Sequence, residues 1–457
     1  MIEKISAINN IINSFVWGPY MLVLLIGTGV YMSIRTYFFQ VKNFNIWAKL
    51  TYGSMFDKHE KGHNITPFQA VSVALASTIG IGSIAGIATA IVSGGPGALF
   101  WMVVSAFFGM MTKFSEVVLS VYFREKDEKG IHYGGPMYYI EKGLKQKWLS
   151  ILFAIFASIA TFGAGNMTQS NAIAGLLKQT IKLPEYVSGI IVAIIVALVL
   201  IGGIKRISSV SEKLVPFMAT IYFIASIIIL IINFKNMPSA IKLIVSEAFS
   251  LKSAASGITG YAIFIAMRYG IARGVFSNEA GLGTAPIAHT ASNTNNPIKQ
   301  GMWGIFEVFN TLIICLLTGL VIISSDLYLY GNTAADGAVL TSLAFKEAIG
   351  IFGEIVITIS SILFAFSTII GWSYYGETCL GYLTKRNKIV IMSYKIIFII
   401  IIVIGATADL KAIWAISDTF NGLMAIPNLI GVILLSPIVI TMVKKYLKNP
   451  ISVELEN

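Results

Sequence analysis

The chain has 457 residues, of which 56% are hydrophobic and only 12% are charged. Its mean hydropathy of +0.78 excludes a soluble globular domain and predicts an all-α polytopic membrane protein. The two cysteines, Cys315 and Cys379, both lie in apolar segments, which argues against a disulfide framework and against a thiolate metal site.

Apolar segments along the chain predict eleven membrane spans. We expect all of them to be helices, because a β-barrel would show alternating segments of about ten residues. Two of the spans are too long for one straight crossing, so kinks or breaks are expected near 255–287 and 348–383. The predicted spans are 15–36, 66–92, 98–123, 149–177, 186–204, 213–233, 255–287, 301–325, 348–383, 389–408 and 412–443.

Basic residues are distributed unevenly between the two sets of loops that these spans create. One set carries 21 of the 33 lysines and arginines, and the opposite set, which includes the N-terminus, carries eight. Because basic loops stay in the cytoplasm, the N-terminus is predicted outside and the C-terminus inside a cell membrane. The net charge of +11 is then a consequence of orientation. We therefore expect the lipid bilayer, and no nucleic acid, as a partner.

The second span contains an unusual polar segment, Ala76–Ser83, in the middle of the apolar run 68–92. Glycine in a helix costs about 1 kcal/mol relative to alanine, and hydroxyls need partners that lipid does not offer. One interpretation is a discontinuous helix whose free amides and carbonyls hold a small solute and an ion. The other is tight helix packing, because Gly82 and Gly86 form a GxxxG pair.

A second span rich in glycine and polar residues lies five spans later, at 269–284. Paired segments of this kind in two halves of a chain indicate a transporter site between structural repeats. Because five is odd, the second half enters from the opposite side, so the repeat is predicted to be inverted. The predicted units are an N-terminal helix and loop (1–65), two five-helix repeats (66–233 and 234–443) and a cytoplasmic tail (444–457).

Polar side chains inside two other spans are candidates for ligand contacts. In the fourth span, Asn166, Gln169 and Ser170 are spaced to share one helical face, with Thr168 beside them, and the alternative is hydrogen bonding between helices. In the ninth span, Ser367 and Thr368 offer oxygen ligands of the kind that sodium takes. Ser360 and Ser361 are a competing pair.

Charged residues in the spans suggest ion pairs and, as an alternative to sodium, the proton as coupling ion. Lys113 and Glu116 are spaced i, i+3 and are expected to neutralise one another. Proton coupling through Glu279 or Glu307 is the nearest alternative to sodium coupling, and a channel is a more distant one. The chain has no GxxxxGK[ST] phosphate loop and no nucleophile–base arrangement, so we do not expect an enzyme.

Several motifs resemble those of the alanine or glycine:cation symporter family. The strongest is GGPGALFWMVVSAFFG at 94–109, and RGVFSNEAGLGTAP at 273–286 supports it. Val103 departs from the family, which commonly has tryptophan there. The resemblance covers nearly the whole chain and implies sodium-coupled uptake of alanine or glycine through a fold similar to the leucine transporter's five-plus-five inverted repeat. One N-terminal helix would precede that repeat, and its first and sixth core helices would be discontinuous.

The resemblance also implies ligands. The substrate would lie against residues 78–82 of the first break, with its carboxylate on the amides of Ile81 and Gly82 and its ammonium near the Thr78 carbonyl. A second break at Gly274–Ser277 would face the same substrate. Sodium, as coupling ion and without any other cofactor, would bind the carbonyls of Ala76 and Ile79 and the hydroxyls of Ser367 and Thr368. We expect a monomer. The full set of substrate residues is Thr78, Ile79, Gly80, Ile81, Gly82, Asn166, Thr168, Gln169, Gly274, Val275, Phe276 and Ser277.

Overall fold

A computed structural model of the chain describes residues 2–55, 64–128, 130–249, 259–325, 327 and 337–455, and these are almost entirely helical. The helices, in chain order, are α1 (Ile2–Val16), α2 (Pro19–Arg35), α3 (Phe39–Lys42), α4 (Phe44–Ser54), α5 (Pro67–Thr78), α6 (Ala85–Gly94), α7 (Gly97–Tyr122), α8 (Pro136–Leu144), α9 (Lys147–Phe162), α10 (Thr168–Ile181), α11 (Glu185–Leu200), α12 (Gly203–Ile232), α13 (Met237–Ala248), α14 (Thr259–Asn278), α15 (Ala285–Thr290), α16 (Pro297–Ser324), α17 (Ala338–Leu383), α18 (Lys388–Thr407) and α19 (Leu410–Lys448). Two short strands, β1 (Glu125–Lys126) and β2 (His132–Tyr133), pair antiparallel between α7 and α8.

Within the described residues, eight helical segments are long and apolar enough to cross a membrane. The predicted spans at 66–92, 186–204 and 255–287 are not among them. The first is divided into two short helices, the second forms the 16-residue α11, and the third is interrupted after α14. The chain is therefore a multi-pass helical membrane protein, as its composition predicts.

The first break lies where the polar segment of the second span predicts it. Helix α5 begins with a capping box, in which Thr66 and Gln69 each bond the other's backbone N–H, and it ends at Thr78. Gly80 is extended (φ −110°, ψ −162°), a single 3-10 turn covers Ile81–Ser83, and α6 starts at Ala85. The interpretation of Ala76–Ser83 as a discontinuous helix is confirmed.

The second break lies later than expected. Helix α14 continues through Gly274–Ser277 to Asn278, so the predicted break at Gly274–Ser277 is wrong. The chain turns instead at Glu279, Gly281 and Gly283, which have φ of +53°, +94° and +80°. These left-handed conformations stop a helix, whereas Gly274 remains helical and allows close packing on α7.

Two other helices are irregular. A π-helical turn, Gly163–Met167, separates α9 from α10. Helix α17 contains a kink at Ile349 and Gly350, where Gly350 has φ of +65°. The kink expected in the long span 348–383 is therefore present, close to the start of that span.

The two broken helices pack side by side at the centre of the protein. Helix α5 contacts α15, and α6 contacts α14, so each half of the first broken helix lies against one half of the second. Helix α7, which follows the first break, packs along α16, which follows the second. This arrangement brings both breaks into the buried interior, where freed backbone groups can meet polar side chains from α10 and α17.

Candidate functional site

The carbonyl oxygen of Ala76 is the point where two hydroxyls of α17 meet the first break. Ser367 Oγ lies 3.0 Å from it and Thr368 Oγ1 lies 3.1 Å from it, and both side chains are buried. The competing pair does not reach this carbonyl: the hydroxyls of Ser360 and Ser361 have no hydrogen-bond partner in the described part of the chain. Of the two pairs, Ser367 and Thr368 are the one that lies on this carbonyl.

Gly80 allows this close approach of α17 and α10 to the break. A Cβ at this position would lie 2.3 Å from Thr368 Oγ1 and 3.2 Å from Gln169 Oε1. Ile79, just before it, still donates its N–H to the Leu75 carbonyl at 2.8 Å, so the helical pattern ends there. Carbonyls at such a helix end lack an intrahelical partner and are available to a ligand.

Gln169 joins α10 to the far side of the same break. Its Oε1 accepts the N–H of Ile81 at 3.1 Å, and its Nε2 donates to the carbonyl of Ala164 at 2.9 Å. The Ile81 N–H, which the resemblance assigns to the substrate carboxylate, therefore already donates to a side-chain oxygen. The break exposes an N–H that binds such oxygens.

Asn166 does not share this position, although spacing predicts one face for Asn166, Gln169 and Ser170. Asn166 Nδ2 donates to the Phe398 carbonyl of α18 at 2.7 Å, and the Ser170 hydroxyl donates to the Met167 carbonyl of the π-helical turn. The π-helical turn adds residues to the turn and rotates Asn166 away from the break. Asn166 therefore makes the hydrogen bond between helices that is the alternative to a ligand contact. Thr168 donates back to the Ala164 carbonyl, beside Gln169.

Only part of the segment Gly274–Ser277 faces the first break. The Phe276 ring lies against Gly82, where an added Cβ would be 2.7 Å from the ring, and Ser277 Oγ is 2.6 Å from Ser83 Oγ. Gly274 faces Met102 of α7 instead, and the Val275 carbonyl accepts the N–H of Glu279. Because the segment is helical, its residues point in different directions.

A cavity of about 400 Å³ leads from one side of the protein to Ile81. Arg273 and Asp418 line it and form a bidentate ion pair, with N–O distances of 2.9 and 2.6 Å. The Trp414 ring centroid lies 4.9 Å from the Arg273 guanidinium carbon and 4.8 Å from the Phe276 ring centroid. No motif or spacing in the sequence singles out Asp418 or Trp414.

The opposite side of the breaks is closed by loop contacts. Ile65, before α5, exchanges backbone hydrogen bonds with Ala291 and Asn293, after α15. The Ser292 carbonyl also accepts Arg124 Nη1 at 3.1 Å and lies 2.9 Å from His132 Nδ1. Burial lowers the pKa of His132 to about 4, so its ring is neutral at pH 7 and Nδ1–H donates to that carbonyl. Within the described part of the chain, these contacts close the side of the breaks that lies opposite the cavity.

Lys113 pairs with a residue that spacing does not predict. Its Nζ lies 3.2 Å from Glu307 Oε1 on α16, and both side chains are fully buried. Glu116 accepts instead from Asn428 of α19. The expected direct pair of Lys113 with Glu116 is not formed, because α7 and α16 pack face to face and the facing helix supplies the partner; the charge of the lysine still acts on Glu116.

These features together define a membrane transporter: two discontinuous helices side by side, hydroxyls converging on a freed carbonyl, and a cavity that reaches the break from one side. The sequence profile described as the sodium:alanine symporter family matches residues 2–455. The chain belongs to this family, and it is a transporter rather than an enzyme.

Relatives of known name support the assignment over nearly full length. The sodium/alanine symporter AgcS of Methanococcus maripaludis is 44% identical, over 96% of both chains. A Bacillus subtilis protein named as a probable sodium/glutamine symporter, GlnT, is 34% identical over 98% of this chain and 92% of its own. Among solved structures, a mutant manganese transporter of Eremococcus coleocola has a TM-score of 0.51 at 12% identity, covering 84% of this chain and 81% of that chain, which is a likeness of fold alone.

Proposed function

We propose that this protein imports a small neutral amino acid, alanine or glycine, together with sodium by alternating access. The observation that carries the proposal is the convergence of the Ser367 and Thr368 hydroxyls on the Ala76 carbonyl, directly beside an N–H that binds oxygen. Family membership and the name of the relative AgcS favour this coupling and this substrate class.

Sodium would bind between α5 and α17. Its ligands would be the carbonyls of Ala76 and Ile79 and the hydroxyls of Ser367 and Thr368. Both hydroxyls also lie within 3.0 Å of the Phe364 carbonyl. They can therefore donate to that carbonyl while their lone pairs turn to the ion, and a hard monovalent cation is well served by such oxygens.

The amino acid would bind on the other side of the same segment. Its carboxylate would replace Gln169 Oε1 on the Ile81 N–H and also accept the N–H of Gly82, and the released Gln169 amide would turn to the ligand. Helix breaks favour anions in this way because their N–H groups lack partners. The Thr78 carbonyl, which now accepts the Gly80 N–H at 2.9 Å, would receive the ammonium group.

Aromatic side chains around this position favour a small ligand. Phe276 lies against Gly82, and a Cβ at Gly165 would lie 2.3 Å from the Trp372 side chain. A pocket closed by these aromatic side chains would favour a ligand whose side chain is a methyl group or a hydrogen and would exclude large side chains sterically. The name of GlnT indicates a larger substrate in a relative, so this limit is a property to test.

We further propose eleven spans arranged as one N-terminal helix and a five-plus-five inverted repeat, with the N-terminus outside and the C-terminus in the cytoplasm. The matching positions of the two broken helices support the repeat, and the excess of basic residues in one set of loops supports the orientation. Under this orientation the 400 Å³ cavity opens to the outside.

Competition binding of an amino-acid panel to purified protein, with and without sodium, tests the substrate class. Alanine or glycine should compete best, and only with sodium present. Uptake into proteoliposomes should then follow a sodium gradient. Uptake that follows a pH gradient without sodium would favour the proton-coupled alternative, and single-channel conductance would favour the channel.

A further inference from the structure

A second polar cluster surrounds the second break and has no part in the proposed sodium or substrate contacts. Its titratable members come from four different elements, and none is more than 1% exposed. They include three glutamates but one lysine. The cluster consists of Lys113, Glu116, Glu279, His289 and Glu307.

The lysine is already neutralised within this cluster. Lys113 pairs with Glu307 Oε1, and the other oxygen of Glu307 lies 3.0 Å from His289 Nε2. Gln300 Nε2, which can only donate, lies 2.8 Å from His289 Nδ1. Nδ1 therefore accepts and Nε2–H donates to Glu307, so His289 is held as a neutral imidazole. The ion pair of Lys113 is therefore with Glu307 and not with Glu116 or Glu279.

Glu116 and Glu279 have no ion-pair partner among the described residues, and each has one carboxyl oxygen without a hydrogen bond there. Glu116 Oε1 accepts from Asn428, and Glu279 Oε2 accepts the hydroxyl of Thr284 at 2.5 Å. A buried carboxylate that lacks an ion pair carries a large desolvation cost. A buried group of this kind takes up a proton instead of remaining charged.

Glu279 differs from Glu116 in where the backbone places it. Glu116 lies within the continuous helix α7, whereas Glu279 is the first residue of the second break and has a left-handed conformation. Its bond to Thr284 spans the break and ends at the residue before α15. The environment of the Glu279 carboxyl therefore changes whenever the segment 279–284 changes shape.

We propose that Glu279 is a proton-binding site. Its carboxyl is protonated while the side of the breaks at Ile65 and Ala291 is closed, as here, and it releases its proton to water when the segment 279–284 opens. The carboxyl O–H bond breaks, water takes the proton, and the reverse step occurs on closing. The charged groups that act on its carboxyl are Lys113 from α7 and Glu307 from α16, and it acts in turn on Tyr375 from α17. Glu116 from α7 and His289 from α15 are the other titratable groups of the cluster.

Infrared spectroscopy of the full chain in lipid tests this proposal without any substrate. We expect a carbonyl band of a protonated carboxylic acid that is absent from Glu279→Gln and retained in the matched variant Glu116→Gln. Thr284→Val, which removes only one hydrogen bond, should shift that band to higher frequency and guards against misfolding of the first variant. The proposal is overturned if Glu279→Gln removes a carboxylate band instead, or if added sodium abolishes the acid band at constant pH.

A transport measurement extends the test and rests on the proposed function. Sodium-driven alanine uptake should slow roughly tenfold for each unit by which internal pH falls below the titration of this carboxyl, as one proton per opening requires. Glu279→Gln should bind alanine with sodium but lose this pH dependence, and Glu116→Gln should keep it. An unchanged slope in Glu279→Gln contradicts the proton site. If the unmodified protein binds no alanine with sodium, the proposed function fails and the infrared result alone decides the proton site.

Discussion

Replacing Thr368 by alanine should weaken sodium binding without changing the fold. The hydroxyl lies 3.1 Å from the Ala76 carbonyl, so the variant removes one of the four oxygens proposed for the ion. A polar contact to a charged group contributes about 1.5–3 kcal/mol. At about 1.4 kcal/mol per factor of ten, the sodium concentration for half-maximal alanine uptake should rise roughly 10- to 100-fold.

The assay is alanine uptake into proteoliposomes across a series of sodium concentrations, with thermal unfolding measured in parallel. Two controls isolate the oxygen. Thr368→Ser keeps the hydroxyl and should stay within a few-fold of the unmodified protein, while Ser360→Ala removes a buried hydroxyl of the same helix that contacts no polar partner within the described residues. Unchanged sodium dependence in Thr368→Ala, or an equal loss in Ser360→Ala, would refute the assignment.

Two further predictions concern the substrate side of the break. Gly82→Leu should abolish alanine binding in a folded protein, because even a Cβ at this position meets the Phe276 ring at 2.7 Å. The control is Gly86→Ala, where the atom nearest to an added Cβ is 3.9 Å away. Normal alanine affinity in Gly82→Leu would exclude this substrate site. Gln169→Ala should weaken alanine binding roughly 2- to 10-fold, the contribution of one hydrogen bond beside Ile81. Asn166→Ala should lower stability and leave affinity unchanged; tighter binding in Gln169→Ala would mean that Gln169 only competes with the ligand.

The sequence predicts the first break well because the anomaly is local. Glycines and hydroxyls at mid-span are costly in lipid wherever the rest of the chain lies, so Ala76–Ser83 can be interpreted without knowing its neighbours. The second break is harder to place, since Gly274 and Gly281 look equivalent in the sequence. Only the backbone separates them: Gly274 is helical and packs on α7, whereas Gly281 has a positive φ.

Contacts between helices are where prediction from spacing fails. Helical periodicity places Asn166 with Gln169, but the π-helical turn between α9 and α10 changes the register and sends Asn166 to α18. Spacing also pairs Lys113 within its own helix, whereas the facing helix supplies Glu307. Lys113 and Glu307 are nearly 200 residues apart in the chain and meet only because their helices pack together. Local periodicity carries no information about such contacts.

The residues proposed to bind sodium and the amino acid are only a few positions apart in the chain. This proximity leads to a last prediction, on the coupling between the two binding events. The Ala76 carbonyl would hold sodium and the Ile81 N–H would hold the carboxylate, with Gly80 between them in close contact with α17 and α10. Whichever ligand binds first orders this segment, and the second then loses less conformational entropy. Linkage requires that sodium raise alanine affinity by the same factor as alanine raises sodium affinity, typically about 5- to 150-fold. Equilibrium binding of each ligand at saturating and zero concentrations of the other measures both factors, and independent binding would contradict a shared segment.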